Sequence, residues 1–246
     1  MYRRRFMLSL ASAAAGCGEG ARDERLTVAA AANLIGVFDE IGSAFTRGTQ
    51  VPVTFSYGAT ALLAHQIANG APFDVFAAAD TEHPAELFAA GRVERPVNYA
   101  RGRLALWAPR KPQVKTLADL ASPEVRFIAV ARAAAAPYGA AAVEALRRAG
   151  LWEQVESKIV YAGNINMARE YANSGSADAA LTAWSLVMRE RGAVLVDAGL
   201  HAAIVQAVAV VTRSPRAEQA RRFVSFLLDD TAQRILGARG YERPRP

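Results

Sequence analysis

The 246-residue chain has one cysteine, three histidines and no long uninterrupted apolar segment. The single cysteine, Cys17, excludes an intrachain disulfide and any metal site built from several cysteines. His65, His83 and His201 lack the spacing of metal ligands, and no apolar run approaches the ~18 residues of a membrane-spanning helix. These absences predict a globular protein with no disulfide, no transmembrane helix and no cation site of its own.

The chain also lacks a concentrated basic surface. Its formal net charge is +6, and Arg3 to Arg5 supply three of those charges, which leaves +3 (6 − 3) for the rest. The pairs Arg147-Arg148 and Arg221-Arg222 lie on helical patterns, where solvated faces are common. No basic stripe alternates with aromatic residues, so we expect no nucleic-acid partner.

The first residues have the pattern of an export signal. Arg3 to Arg5 form a positive segment, residues 6–15 are apolar, and small residues lead into Cys17. We predict that residues 1–16 are a signal peptide and that Cys17 carries a lipid, as in bacterial lipoproteins. The alternative is an ordinary signal peptide whose cysteine has no role, and the arginines also resemble a twin-arginine export motif. Either route predicts a periplasmic or extracytoplasmic protein, which the lipid would attach to the membrane.

Strand-like and helix-like segments alternate through the rest of the chain, in which hydrophobic residues are abundant. Such alternation predicts an α/β fold in which mostly parallel sheets are flanked by helices. The strand-like segments fall at residues 26–31, 51–57, 74–79, 103–108, 125–130, 158–161, 179–183, 194–196 and 204–211.

Two of the longer strand-like segments, 103–108 and 204–211, separate blocks of strand–helix units. We interpret them as the crossings between two lobes. Lobe 1 then comprises residues 26–105 together with 205–246, and lobe 2 comprises residues 106–204. Ligands of such folds bind in a crevice at the carboxyl ends of the strands.

Four strand-to-helix junctions carry residues that suit the start of a helix. Backbone N–H groups at a helix start lack partners within the helix and lie at the positive end of its dipole, so several together form an oxyanion site. Each hydrogen bond to an anion contributes roughly 1.5–3 kcal/mol net. The alternative is that Asn33 and Thr60 only cap helices and that Tyr138 only packs. The junctions are Asn33, Gly58-Ala59-Thr60, Pro137-Tyr138-Gly139 and Gly163-Asn164-Ile165.

Three segments resemble the molybdate-binding proteins of bacterial ABC importers, which have the type II periplasmic binding protein fold. They are GAPFDVFAAAD (70–80), APYG (136–139) followed by EALRRAGLW (144–152), and FLLDDTAQRILGARGY (226–241). The resemblance extends from about Leu26 to Tyr241. It implies two lobes joined by a hinge that closes over a ligand.

The resemblance further implies that a tetrahedral oxyanion, molybdate or tungstate, binds between the lobes. The family's binding positions fall on Ala32, Asn33, Thr60, Tyr138 and the backbone of Ile165, and Tyr138 would reach the anion from the second lobe. We expect a monomer without a cofactor that passes the anion to a membrane ABC permease. The alternative is the same fold with sulfate, phosphate or another small anion as its cargo.

Some positions depart from the family pattern. Ala59-Thr60 replaces a frequent Ser-Ser pair, Ala32 has no hydroxyl, and Arg132 stands where Asn-Pro is usual. These changes leave fewer side-chain donors for an anion.

An enzyme is the competing hypothesis from another class of protein. It needs a nucleophile beside a base, yet the only cysteine is in the leader and no serine lies in a nucleophile-elbow motif. Asp74 and Asp80 are better explained by capping and hinge contacts, because a carboxylate in the site would repel an anion. The sequence therefore favours a binding protein that does no chemistry on its ligand.

Overall fold

A computed structural model of the chain describes residues 25–244, so the predicted signal peptide and Cys17 lie outside the described part. Two five-stranded sheets form its framework. The first sheet has the order β2-β1-β3-β10-β4. Its strands are β1 (Leu26–Ala31), β2 (Val53–Gly58), β3 (Val75–Ala77), β4 (Val97–Gly102) and β10 (Ile204–Val210).

The second sheet has the order β7-β6-β8-β5-β9. In each sheet four strands run in one direction, and the exceptions are β10 in the first and β5 in the second. This arrangement confirms the predicted α/β class with mostly parallel strands. The strands of the second sheet are β5 (Leu104–Trp107), β6 (Ile128–Ala131), β7 (Ile159–Ala162), β8 (Ala179–Ala183) and β9 (Ala193–Leu195).

Nine α-helices of the described range cover the sheets. None of the helices within residues 25–244 combines the length and apolar character needed to cross a membrane. Against the first sheet lie α1 (Val37–Thr49), α2 (Thr60–Ala68), α3 (Glu82–Ala89), α8 (Ala217–Leu228) and α9 (Asp230–Ala238). Against the second lie α4 (Pro137–Arg148), α5 (Trp152–Val155), α6 (Ile165–Ser174) and α7 (Trp184–Val187).

The core of the first sheet is rich in aromatic side chains. Phe38 meets Phe55 edge-to-face with ring centroids 5.6 Å apart, and Phe45 meets Phe223 in the same way at 5.2 Å. Such pairs add about 0.5–1.5 kcal/mol each beyond the burial of their area. This packing fixes α1 and α8 on the sheet, and with them the end of β1 that leads into the site.

The chain passes between the sheets near residue 103, between β4 and β5, and again just before β10. A register shift in the pairing of β10 with β4 falls between Gln206 and Ala207. The lobe boundaries proposed from the sequence stay a prediction. Strand β4 was not foreseen, because its segment VNYARG mixes polar and apolar residues without the alternation that marks a half-buried strand.

Direct contacts hold the two halves against each other. The Ala61 N–H donates to the Ala135 carbonyl at 3.3 Å, and the Ser185 hydroxyl donates to the Asn33 carbonyl at 3.1 Å. The described conformation is therefore one in which the cleft between the sheets is closed.

Candidate functional site

A small cavity lies where the two sheets face each other. All four strand-to-helix junctions contribute to its wall. The five residues expected to bind an anion, Ala32, Asn33, Thr60, Tyr138 and Ile165, therefore line one space. The other lining residues are Ala31, Gly58, Ala59, Ala79, Ala136 and Pro137, so the whole lining is uncharged.

Three helices begin at this cavity. Thr60 is the first residue of α2, Tyr138 the second of α4 and Ile165 the first of α6. Within the described chain, the backbone N–H groups of these three residues donate no hydrogen bond to another protein group. Because they lie at the positive ends of helix dipoles, they favour an anion in the cavity.

Gly139 explains how α4 comes so close to its strand. A Cβ at this position would overlap the Ala131 carbonyl oxygen at the end of β6. Pro137 occupies the first helical turn, where its missing N–H costs nothing. The Pro-Tyr-Gly sequence thus places Tyr138 at the helix start and seats that start tightly on the second sheet.

Thr60 is 2% exposed and lines the small cavity, where its hydroxyl forms a hydrogen bond. Its hydroxyl oxygen accepts from the Ala79 N–H at 3.3 Å, which links α2 to the end of β3. No protein acceptor takes the hydroxyl proton among the described residues, so the group remains available as a donor.

A network of buried amides and phenols lies behind the cavity. Asn33 Nδ2 donates to Gln206 Oε1 and to the Tyr241 hydroxyl, both at 3.0 Å. Gln206 Nε2 donates to the Tyr138 hydroxyl at 3.1 Å, and the Tyr99 hydroxyl donates to Gln206 Oε1 at 3.0 Å. The network therefore gives the Tyr138 hydroxyl a protein partner, and a direct role of that hydroxyl in binding an anion stays a prediction.

The phenols of this network stay protonated. Burial raises the pKa of Tyr99, Tyr138 and Tyr241 above the ordinary value of 10, because a phenolate loses its hydration there. Each of these hydroxyls is therefore a hydrogen-bond donor at neutral pH.

Sequence reasoning missed Gln206, Tyr99 and Tyr241. Gln206 had a usable signal, since it is the one polar residue in the strand IVQAVAV and a buried glutamine requires partners. The two tyrosines had none, because their contacts join residues far apart in the chain.

A larger and more open cleft of about 550 Å³ adjoins the small cavity. Several ionisable side chains line it, including Asp80, Glu82, His83, Glu86 and Glu144. His83 Nδ1 lies 2.7 Å from Asp80 Oδ2, and this hydrogen bond raises the pKa of His83 against the opposing effect of burial.

Asp74 lies outside both spaces. Its carboxylate accepts from the Thr27 N–H, the Ser214 hydroxyl and Arg216 Nε at 2.7, 2.7 and 3.1 Å, which ties β1, β3 and the segment after β10 together. These contacts agree with the structural interpretation of Asp74. No group of three potential cation ligands occurs within residues 25–244.

The chain is similar in sequence to known solute-binding proteins. A family model described as bacterial extracellular solute-binding protein matches residues 26–242. The molybdate-binding protein ModA of Rhodobacter capsulatus is 31% identical over 217 residues, which are 87% of this chain and 86% of that protein. ModA of Azotobacter vinelandii is also 31% identical, over 246 residues that cover 96% of each chain.

Solved structures show the same architecture. The periplasmic molybdate-binding protein of Azotobacter vinelandii superposes with a TM-score of 0.85 at 28% identity, covering 89% of this chain and all of that one. The sulfate-binding protein SubI of Mycobacterium tuberculosis superposes with a TM-score of 0.77 at 18% identity, covering 90% and 88%. The second likeness shows a shared fold alone.

Proposed function

Because this chain belongs to the family of bacterial extracellular solute-binding proteins, we propose that it captures molybdate in the small cavity and delivers it to an ABC permease. The observation that carries the proposal is the uncharged cavity at which three helices begin with free N–H groups. Relatives that match nearly the whole chain are named molybdate-binding proteins.

The donors come from both halves of the molecule. The short turn at Ala32 and Asn33 and the start of α2 at Thr60 extend from the first sheet, and the starts of α4 and α6, at Tyr138 and Ile165, extend from the second. An anion that accepts from both halves stabilises the closed arrangement relative to an open one. Capture is thus a hinge closure driven by hydrogen bonds, and the anion is released chemically unchanged.

Neutral donors suit a doubly negative tetrahedral guest. The missing hydroxyls at Ala32 and Ala59 leave backbone N–H groups and the Thr60 side chain as the donors, while Asn33 Nδ2 donates within the protein. Tungstate has the same shape and charge as molybdate, so we include it in the proposal. Sulfate and phosphate are the competing cargoes.

Titration calorimetry on the purified protein tests the cargo. Molybdate and tungstate should bind with one site per chain, while sulfate and phosphate should bind far more weakly. Tight binding of sulfate without binding of molybdate would reverse the proposal. Light scattering on the same sample tests the expectation of a monomer.

We also propose that the protein works outside the cytoplasm, held to the membrane by a lipid on Cys17. Fractionation of cells tests this directly. The full-length protein should sediment with membranes, and Cys17→Ala should move it to the soluble or secreted fraction. Identical fractionation of both forms would leave the signal peptide without a lipid role.

A further inference from the structure

The side-chain oxygen of Asn33 has no hydrogen-bond partner. Within the described chain, Asn33 Oδ1 and Arg169 Nε are the buried side-chain polar atoms left in this state. Asn33 is 0% exposed and lines the small cavity. A buried acceptor without a donor is destabilising, and an acceptor at the wall of an anion site would also repel the anion.

The other end of the Asn33 amide is fully used. Nδ2 donates to Gln206 Oε1 and to the Tyr241 hydroxyl. Oxygen and nitrogen ends of an amide have nearly the same shape but opposite hydrogen-bonding character. Reversing the Asn33 amide alone would set two oxygens 3.0 Å apart, and reversing Gln206 alone would oppose two N–H groups. The two amides must therefore turn together.

Turning both amides gives every member of the network except Asn33 Nδ2 a hydrogen-bond partner within the protein. Gln206 Nε2 then donates to Asn33 Oδ1 and to the Tyr99 hydroxyl, whose own proton has the Ala78 carbonyl as acceptor at 3.1 Å. Gln206 Oε1 accepts from the Tyr138 hydroxyl. The Tyr241 hydroxyl, which otherwise donates to the Asn33 carbonyl, then donates to Asn33 Oδ1. The Asn33 carbonyl still accepts from the Ser185 hydroxyl.

The reversed pair changes what the cavity offers to a ligand. The unpartnered atom of Asn33 is now Nδ2, an N–H donor at the wall of the cavity. The orphan acceptor disappears, and an anion gains a charge-assisted hydrogen bond in its place.

We propose that Gln206 is the positioning residue of this site: with the anion bound, its Nε2 donates to Asn33 Oδ1 and thereby turns Asn33 Nδ2 toward the anion. The inference rests on the proposed function, since it requires an anion in the cavity. Gln206 is 0% exposed on β10 and reaches side chains from both halves, Asn33 on one side and Tyr138 on the other.

A double-mutant cycle tests this role against a merely structural one. Gln206→Met keeps the length of the side chain and removes the donor, and it should raise the molybdate Kd about tenfold, as expected for one lost hydrogen bond. In an Asn33→Ala background the same substitution should raise the Kd less than twofold, because the amide that Gln206 orients is gone. Equal effects in both backgrounds, or a wild-type Kd for Gln206→Met, would overturn the proposal.

Gln206→Glu supplies a second readout that packing alone does not move. A carboxylate only accepts, so it would hold Asn33 with Oδ1 toward the anion and add a negative charge. The Kd relative to wild type should be raised at least a hundredfold near pH 8. That ratio should shrink toward about pH 5, where a protonated carboxyl again donates to Asn33 Oδ1. A ratio independent of pH would contradict the proposal.

Gln233→Met is the matched control. Gln233 is also a buried glutamine, and its Nε2 donates to the Tyr99 and Leu227 carbonyls away from the cavity. This variant should lower the melting temperature and leave the Kd unchanged. Wild-type protein that fails to bind molybdate would defeat the proposed function itself, whereas normal wild-type binding together with an unaffected Gln206→Met would defeat only the role of Gln206.

Discussion

The small cavity and the open cleft beside it share part of their walls but differ in chemistry. Among residues 25–244 no charged side chain lines the small cavity, whereas the cleft carries four carboxylates and the His83 imidazole. Three residues border both spaces: Ala79, Ala136 and Pro137. The small cavity therefore has no concentration of positive charge to attract an anion.

Selectivity in such a site depends on the direction of hydrogen bonds. Three helix N-termini and the Thr60 hydroxyl offer donors to the small cavity, and among residues 25–244 Asn33 Oδ1 is the unpaired side-chain acceptor of its lining. The four carboxylates lie in the neighbouring cleft. This cleft opens to solvent, and water there screens their charge.

Thr60→Asp should have the largest effect, because it places a carboxylate inside the small cavity. Repulsion in a buried site should weaken molybdate binding about a thousandfold or more. Thr60→Asn is the matched neutral control and should bind measurably better. Calorimetry on the two variants separates charge from size, and equal affinities would show that charge is not what the cavity excludes.

Gly102→Ala tests how tightly the network behind the cavity is packed. A Cβ at Gly102 would overlap the Tyr138 hydroxyl and lie 2.7 Å from Gln206 Nε2. Displacing both should weaken molybdate binding about a hundredfold, since overpacking costs about 1–3 kcal/mol.

Gly48→Ala serves as the control for Gly102→Ala. Gly48 lies within α1 and has open space around its would-be Cβ, so this variant should bind normally and melt no earlier than the parent. A normal Kd for Gly102→Ala would mean that the Tyr138 ring can shift without harm to the site.

Thr60→Ala removes a donor without adding charge. Loss of its hydroxyl should weaken binding by about 1–3 kcal/mol, or roughly tenfold to a hundredfold. The lost bond to the Ala79 N–H should also lower the melting temperature slightly. Unchanged affinity would remove the hydroxyl from the set of anion donors.

His83 probes the cleft, where the smallest effect is expected. The pKa of His83 is raised above 6.5 in the folded protein. Its pairing with Asp80 therefore stabilises the fold fully at pH values below 6.5, and this stabilisation is lost as the pH rises through the folded-state pKa. The unfolding free energy of wild type should exceed that of His83→Gln by less than about 1 kcal/mol near pH 6. This difference should become smaller at higher pH.

The affinity ratio of wild type to His83→Gln should stay constant over the same pH range. A ratio that follows the titration of His83 would show that charge in the cleft influences anion binding in the small cavity.

Local sequence patterns predicted much of this molecule. Apolar runs followed by helical periodicity located β1 and α2, and the turn residues at Thr60 and Tyr138 marked helix starts that do meet at one cavity. The predicted resemblance to molybdate-binding proteins is confirmed by the relatives that match. Residues that follow parallel strands can be placed together from sequence, because the carboxyl ends of all these strands lie at one edge of the sheet.

The network behind the cavity was beyond such patterns. The Asn33 amide meets Gln206 across 173 residues and Tyr241 across 208 residues. Periodicity indicates which face of a helix or strand is buried. It does not indicate which polar side chain from a distant part of the chain contacts that face.

The contact between Asn33 and Tyr241 also has a consequence for the timing of assembly. Tyr241 donates to the carbonyl of Asn33 at 2.7 Å, so the first loop of the fold is completed by residues at its far end. A nascent chain lacks this contact until Tyr241 has been added and the helix before it has folded. Until then Asn33, which lines the small cavity, lacks one of the hydrogen-bond partners that hold it in place.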